Sequence, residues 1–231
     1  MAPRNVKAGP RLSTQPLPPR GPSDGDTLDY IAEQLETRGY AVIPAAVPPA
    51  LVDRLFIELK QLDSAEFKPA GIGRQDDFQV NRFVRSDQIC WLQGQSEGAG
   101  GFLDWMEQLR QGLNRRLFLG LFDYEAHFAS YPPGAFYKKH LDAFKGQSNR
   151  VLSTVFYLNP QWQSNDGGEL VIYAEDGESE LECVRPEYGK LVIFLSEVFP
   201  HEVRPAQRER YSIAGWFRVN NSSALVPDPP R

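Results

Sequence analysis

From Asp123 to Val219 the chain is a succession of short β-rich runs: DYEAHFASY, FYKKHLD, RVLSTVFYLN, GELVIYA, LECVRP, KLVIFL, HEVRP and RYSIAGWFRV. Turn-forming clusters such as SNDGG and EDGE separate them, and none is long enough to hold a helical stripe. Strands at this spacing close into an antiparallel sandwich or barrel rather than into alternating βαβ units. The expected fold class is therefore mainly β with supporting α-helices.

The helices precede the strands. Asp26 or Thr27 is placed to cap a helix carrying Leu28, Ile31, Ala32 and Leu35 on one face, and Gly39 to end it. YAVIP reads as a short strand, Pro48 and Pro49 open a second helix with a leucine stripe, and a third is expected from about Phe102 to Leu117. These stripes read as core-facing surfaces that buttress one sheet. Residues 1–25, rich in Pro and Arg without an apolar core, read as a disordered leader rather than a signal peptide. Residues 26–231 then form a single catalytic-sized domain, with helical support over 26–120 and the β core over about 78–220.

No apolar run reaches the roughly 18 residues of a membrane span. The two cysteines match no C-x-x-C pattern, consistent with reduced thiols in a cytoplasmic protein. A net charge of −5 argues against a broad phosphate-binding surface, so neither nucleic acid nor membrane is an expected partner. In KPAGIGRQDDFQVNRFVRSD, residues 68–87, Gly71 and Gly73 suggest a movable loop, and FQVNRFVR a strand pair or edge after it. The loop lacks the Lys-Ser/Thr pair of a phosphate loop.

Chemistry concentrates in the histidines, of which there are only three, His127, His140 and His201. In YKKHLDAF, an extended strand would point His140 and Asp142 to one face. Taken alone, that pair is equally what a solvated surface contact looks like. Joined by His201, from FPHEVRP, it becomes two imidazoles and a carboxylate, the facial set that suits Fe(II) and leaves positions open. Zinc accepts the same ligands, but no H-E-x-x-H helix is present. Arg210 and Ser212 share one face of RYSIAGWF, and a guanidinium pointing into a barrel requires an anion such as a dicarboxylate. The other reading of Arg210 is a surface pair with Glu209. His127 has no place in the set and reads as a structural strand histidine.

His140-Leu141-Asp142, His201 and Arg210-Tyr211-Ser212 resemble the H-x-D…H…R-x-S signature of Fe(II)- and 2-oxoglutarate-dependent oxygenases. VRSDQICWLQG, VLSTVFYLNPQW, DGGELVIY and PHEVRPAQRERYSIAGWF narrow the likeness to prolyl 4-hydroxylases of the oxygen-sensing type and their bacterial relatives, including those acting on elongation factor Tu. The resemblance covers residues 78–220 and implies a double-stranded β-helix, or jelly roll. It further implies Fe(II), 2-oxoglutarate and O2 as cofactor and cosubstrates, ascorbate as reductant, and a protein substrate with a target proline, elongation factor Tu first among candidates. On it, His140, Asp142 and His201 hold the metal; Arg210, with Tyr157 and Ser212, meets the distal carboxylate of 2-oxoglutarate. Tyr131 becomes a second active-site tyrosine and Trp216 a pocket wall. Arg150, Gly71, Gly73 and Arg74 fall at the substrate mouth. The chain departs from the oxygen sensors at Ala214, where they carry threonine, so slow sensor-like reactivity with oxygen is not implied. The alternatives are a silent jelly-roll binding module, an oxygenase acting on a small molecule, and a nucleic-acid demethylase.

Overall fold

A computed structural model describes residues 25–71, 83–143 and 148–220. Three α-helices come first: α1 (Gly25–Arg38), α2 (Pro49–Gln61) and α3 (Glu97–Leu117). Between and after them run β1 (Tyr40–Ile43), β2 (Lys68–Pro69), β3 (Gln88–Trp91), β4 (Leu121–Tyr131), β5 (Tyr137–His140), β6 (Arg150–Tyr157), β7 (Leu170–Tyr173), β8 (Glu180–Val184), β9 (Leu191–Leu195), β10 (His201–Val203) and β11 (Arg210–Val219). A seven-stranded sheet has the order β1-β9-β6-β11-β4-β3-β2, and a four-stranded sheet the order β5-β10-β7-β8, all neighbours antiparallel. This is the jelly roll that the strand spacing and the resemblance implied.

Period-two alternation divides the large sheet into two working faces. Leu191 and Ile193 of β9, Leu152 and Phe156 of β6, Phe128 of β4, and Ile213 and Phe217 of β11 pack with Ile31, Leu35, Leu55, Phe102, Met106 and Leu109 of the helices. Their neighbours in sequence, Val192 and Phe194, Tyr157, Ala129 and Tyr131, point the other way, to Leu170, Ile172, Val184 and Val203 of the small sheet. LVIFL reads as an unbroken apolar run because both of its faces are covered. The polar residues Ser153, His127, Ser212 and Arg210 share the inner face, so the space between the sheets is where chemistry collects.

The third helix starts at Glu97, five residues before the expected Phe102, with the Ser96 hydroxyl accepting the Ala99 N–H. E-G-A-G-G reads as a turn on helix propensity alone. Packing overrides that, since a Cβ on Gly98 would meet the Glu58 carboxylate at 2.4 Å and one on Gly101 would meet Leu51 at 3.0 Å. The glycines let α2 and α3 touch. Of FQVNRFVR, residues 78–85, expected as a strand pair or edge, 78–82 lie outside the described residues, and the rest makes an isolated bridge at Arg85 to Tyr137 before β3 begins. Gly71 is described; Gly73, Arg74 and the leader through Asp24 lie outside the described residues. No helix among the described residues is long and apolar enough to cross a membrane.

Candidate active site

β5 and β10 are neighbours in the small sheet, with His140 directly opposite His201. Asp142 lies two residues past the end of β5, in a bend rather than on the strand, so the shared face expected from an extended H-L-D is not how it arrives. The turn swings the carboxylate between the imidazoles: Asp142 Oδ1 is 3.5 Å from His140 Nε2 and Oδ2 is 3.6 Å from His201 Nε2. One ligand atom from each residue falls within 4.8 Å of the other two.

Both imidazoles are set to coordinate. The Nδ1–H of His140 donates to the Lys138 carbonyl at 2.8 Å, and that of His201 to the Phe199 carbonyl at 3.0 Å, leaving both Nε2 lone pairs facing Asp142. Burial, with His140 alongside, pushes the His201 imidazole down to about 4, the neutral form a metal requires. Burial alone would raise Asp142, but the two imidazoles and the Ser153 hydroxyl outweigh it and hold the carboxyl well below its ordinary value. Asp142 Oδ2 accepts Ser153 Oγ–H at 2.6 Å and Trp216 Nε1–H at 3.0 Å, and Ser153 is itself bonded to Ser196 at 2.9 Å. Trp216 is thus a donor to the metal-ligand carboxylate as well as a wall. Neither contact is visible in a motif, since β6 and β11 are brought to Asp142 only by the fold. On its outer side, His140 stacks on Tyr137, ring centres 3.5 Å apart, and the Arg85 guanidinium covers the other face of Tyr137. Asp87 holds Arg85 with a two-pronged contact at 2.8 and 2.6 Å.

The inner face of the large sheet also carries a cation with no counter-ion among the described residues. Arg210 is 1% exposed, and no carboxylate among the described residues lies within ion-pair reach of it. Its Nε donates to the Gly168 carbonyl at 2.8 Å and its Nη1 to Ser212 Oγ at 3.4 Å, but Nη2 is buried with no partner. The Tyr157 hydroxyl is also buried and unpartnered, with the guanidinium 5.1 Å from its ring centre and 4.9 Å from that of Tyr131. Buried polar atoms are satisfied in the great majority of cases, and a lone buried guanidinium is costly. Two such orphans side by side are donors waiting for an anion. A third determinant, missed in the sequence, is Gly168: at φ +71° its Cβ would sit 3.1 Å from Arg210 Cδ. Only glycine allows that backbone to cradle the arginine. The nitrogen-nitrogen-oxygen triad fits Fe(II), and the Arg210–Tyr157 pair fits the carboxylate of a 2-oxo diacid.

Residues 126–218 match the sequence family described as the 2OG-Fe(II) oxygenase superfamily. A Pseudomonas putida prolyl-4-hydroxylase superposes with a TM-score of 0.75 at 44% identity, over 84% of this chain and 100% of that one. The chain belongs to the prolyl-hydroxylase family of 2OG-Fe(II) oxygenases. A Trichoplax adhaerens prolyl hydroxylase, solved with a hypoxia-inducible factor degradation-domain peptide, superposes at a TM-score of 0.73 with 28% identity over 84% of this chain and 90% of that one. Human Egl nine homolog 1 is 26% identical over 82% of this chain, which spans 46% of that protein's length. Arg150, expected at the substrate mouth, is partly exposed and lies over Trp216. Its guanidinium lies 3.6 Å from the centre of Trp216, and its Nη2 pairs with Glu125 at 2.8 Å.

Proposed function

We propose that the protein hydroxylates a prolyl residue of a protein substrate at C4, using Fe(II), 2-oxoglutarate and O2. The observation that carries this is the pair of orphaned donors, Arg210 Nη2 and Tyr157 Oη, on the inner face of the large sheet, in a chain that also brings His140, Asp142 and His201 together. Fe(II) with 2-oxoglutarate and O2 supplies the oxidation, in which the 2-oxo acid leaves as succinate and CO2 and one oxygen atom enters a substrate C–H bond.

The chain's own residues hold, orient and exclude. His140, Asp142 and His201 would hold the metal through two imidazole nitrogens and a carboxylate oxygen. Ser153 and Trp216 fix the Asp142 carboxylate from behind, so its remaining oxygen is presented in one orientation. Arg210, Tyr157 and Ser212 take the distal carboxylate of 2-oxoglutarate, and Tyr131 packs against the guanidinium. Leu170, Ile172, Val203 and Phe194 keep water from the inner space. Arg150 and Gly71, with Gly73 and Arg74, are assigned to the substrate side. Ascorbate is the expected reductant.

The prolyl assignment is supported by the 44% identity to the Pseudomonas prolyl-4-hydroxylase; elongation factor Tu is the first candidate on sequence resemblance. The test is to incubate the protein with Fe(II), 2-oxoglutarate and ascorbate in a bacterial lysate, then map peptides for prolines that gain one oxygen. Hydroxyproline in one dominant protein supports the reading. Oxidation of a non-prolyl target defeats the prolyl assignment, and cosubstrate turnover stimulated only by small molecules defeats the protein substrate.

A further inference from the structure

The aromatic rings around the triad share a feature that hydroxylation does not require. Arg85 covers Tyr137 at 4.3 Å, Arg150 covers Trp216 at 3.6 Å, and Arg210 lies 4.9 Å from Tyr131 and 5.1 Å from Tyr157. A cation on a ring's face is attracted to the neutral π-system and opposes removal of an electron from it. Each of these rings has a guanidinium over it, two of these cations being paired in turn with Asp87 and Glu125. Guarding leaves a question of where a stray oxidising equivalent goes.

One contact chain leads out. Trp216 Nε1 donates to the ligand carboxylate of Asp142 at 3.0 Å. The His127 ring centre is 5.6 Å from that of Trp216, and Trp91 stands edge-on to His127 at 5.2 Å. The sheet register makes this possible: Trp91 of β3 is directly opposite His127 of β4, and Glu125, two residues along the same face, is opposite Trp216 of β11. His127 is buried, and its Nδ1–H donates to the Phe128 carbonyl at 3.2 Å. Burial pushes its imidazole down to about 4, so it sits between the indoles as a neutral ring. Trp91 is 45% exposed, and among the described residues no guanidinium or ammonium group lies over it. Arg150 is offset by Glu125 and the Trp216 N–H is held against Asp142, whereas Trp91, at the surface, can release its indole proton to water as an electron leaves. The bias points outward.

We propose that Trp216, His127 and Trp91 form an electron relay that discharges an oxidising equivalent stranded at the metal site, ending at the surface on Trp91. The relay rests on the oxygenase reading above, and it acts when 2-oxoglutarate is consumed with no protein substrate to be oxidised. One electron would leave Trp91 and pass by way of His127 and Trp216 to the site that His140, Asp142 and His201 form, and one solvent proton would enter there with it. The Trp91 Nε1 proton leaves to water, so a neutral indolyl radical remains at the surface. A diffusible one-electron donor of the ene-diol class then returns an electron, water returns the proton, and the indole is restored.

The experiment supplies the protein with Fe(II), 2-oxoglutarate and O2, with no ene-diol and no protein substrate, in the presence of a nitroso spin trap. Succinate is measured in the same tube, and the trap adduct is located by peptide mass spectrometry. The expected result is an adduct on Trp91, with Trp216 and Tyr137 unlabelled. Trp91→Phe should lose it, and His127→Leu should lower the Trp91 adduct severalfold per succinate formed. Trp91→Phe, on a half-exposed strand position, keeps the test open if His127→Leu does not fold. Labelling of Trp216 or Tyr137 in the wild type, or a Trp91 adduct per succinate unchanged in His127→Leu, would overturn the relay while leaving the oxygenase reading intact. If no succinate forms without a protein substrate, no oxidising equivalent is stranded and the relay is overturned, while the oxygenase reading stands on hydroxyproline formed with substrate.

Discussion

Replacing Arg210 with methionine separates anion binding from folding. In the wild type the guanidinium makes one good hydrogen bond, to the Gly168 carbonyl at 2.8 Å, and a long one to Ser212, while Nη2 is buried without a partner. Methionine fills a similar volume without a charge. Loss of the Gly168 contact leaves a buried carbonyl unsatisfied, at about 1–3 kcal/mol. Loss of an uncompensated buried cation relieves a desolvation penalty of about several kcal/mol. The two oppose each other, so the ligand-free variant should melt no lower than wild type to within a few degrees. The cosubstrate tells a different story. The charge-assisted hydrogen bond that Nη2 offers a carboxylate, about 1.5–3 kcal/mol, is lost while Tyr157 remains, so 2-oxoglutarate affinity should fall about ten- to a hundredfold. Calorimetric titration of 2-oxoglutarate into the Mn(II)-loaded proteins, paired with thermal melts of the ligand-free forms, reads both quantities. A variant that binds 2-oxoglutarate within about threefold of wild type, a difference below 1 kcal/mol, would refute the role given to Arg210.

Trp216→Phe keeps an aromatic wall but removes one of the two hydrogen bonds on Asp142 Oδ2, and metal affinity should fall about 10- to 100-fold in a competitive chelator titration. Gly168→Ala places a Cβ 3.1 Å from Arg210 Cδ at φ +71°; it should cost about 1–2 kcal/mol in stability and raise the KM for 2-oxoglutarate more than it lowers kcat. His127 and His201 are both held at about 4 by burial, against 6.5 in the unfolded chain. The unfolded chain therefore takes up protons first as pH falls, so metal-free stability is full above about pH 6.5 and declines toward pH 4. His127→Leu should flatten that decline in urea titrations across the range.

The sequence carried the frame of the site and little of its support. His140, His201 and R-Y-S lie on strands whose alternation is plain in the letters, and the fold brings β5, β10 and β11 to one interior. Asp142 shows the limit: the spacing suggested a shared strand face, but a bend delivers the carboxylate, and a bend has no period. Trp216, Ser153 and Gly168 act on residues 74, 11 and 42 positions away, contacts that exist only after the sheets pair. His127 was legible as a strand histidine, yet its position between two tryptophans depends on the β3–β4 register, which no local signal encodes. The early start of α3 was hidden because its glycines answer to the surface of α2 rather than to helix propensity.

The most direct measurement of the whole account is the ratio of hydroxyproline to succinate in one reaction, with purified elongation factor Tu, Fe(II), ascorbate and 2-oxoglutarate. The account predicts that the two products rise together in equal amounts, and that both vanish when Asp142 is replaced by asparagine. Succinate formed at the same rate with and without elongation factor Tu, and no oxygen gained on any of its prolines, would contradict it.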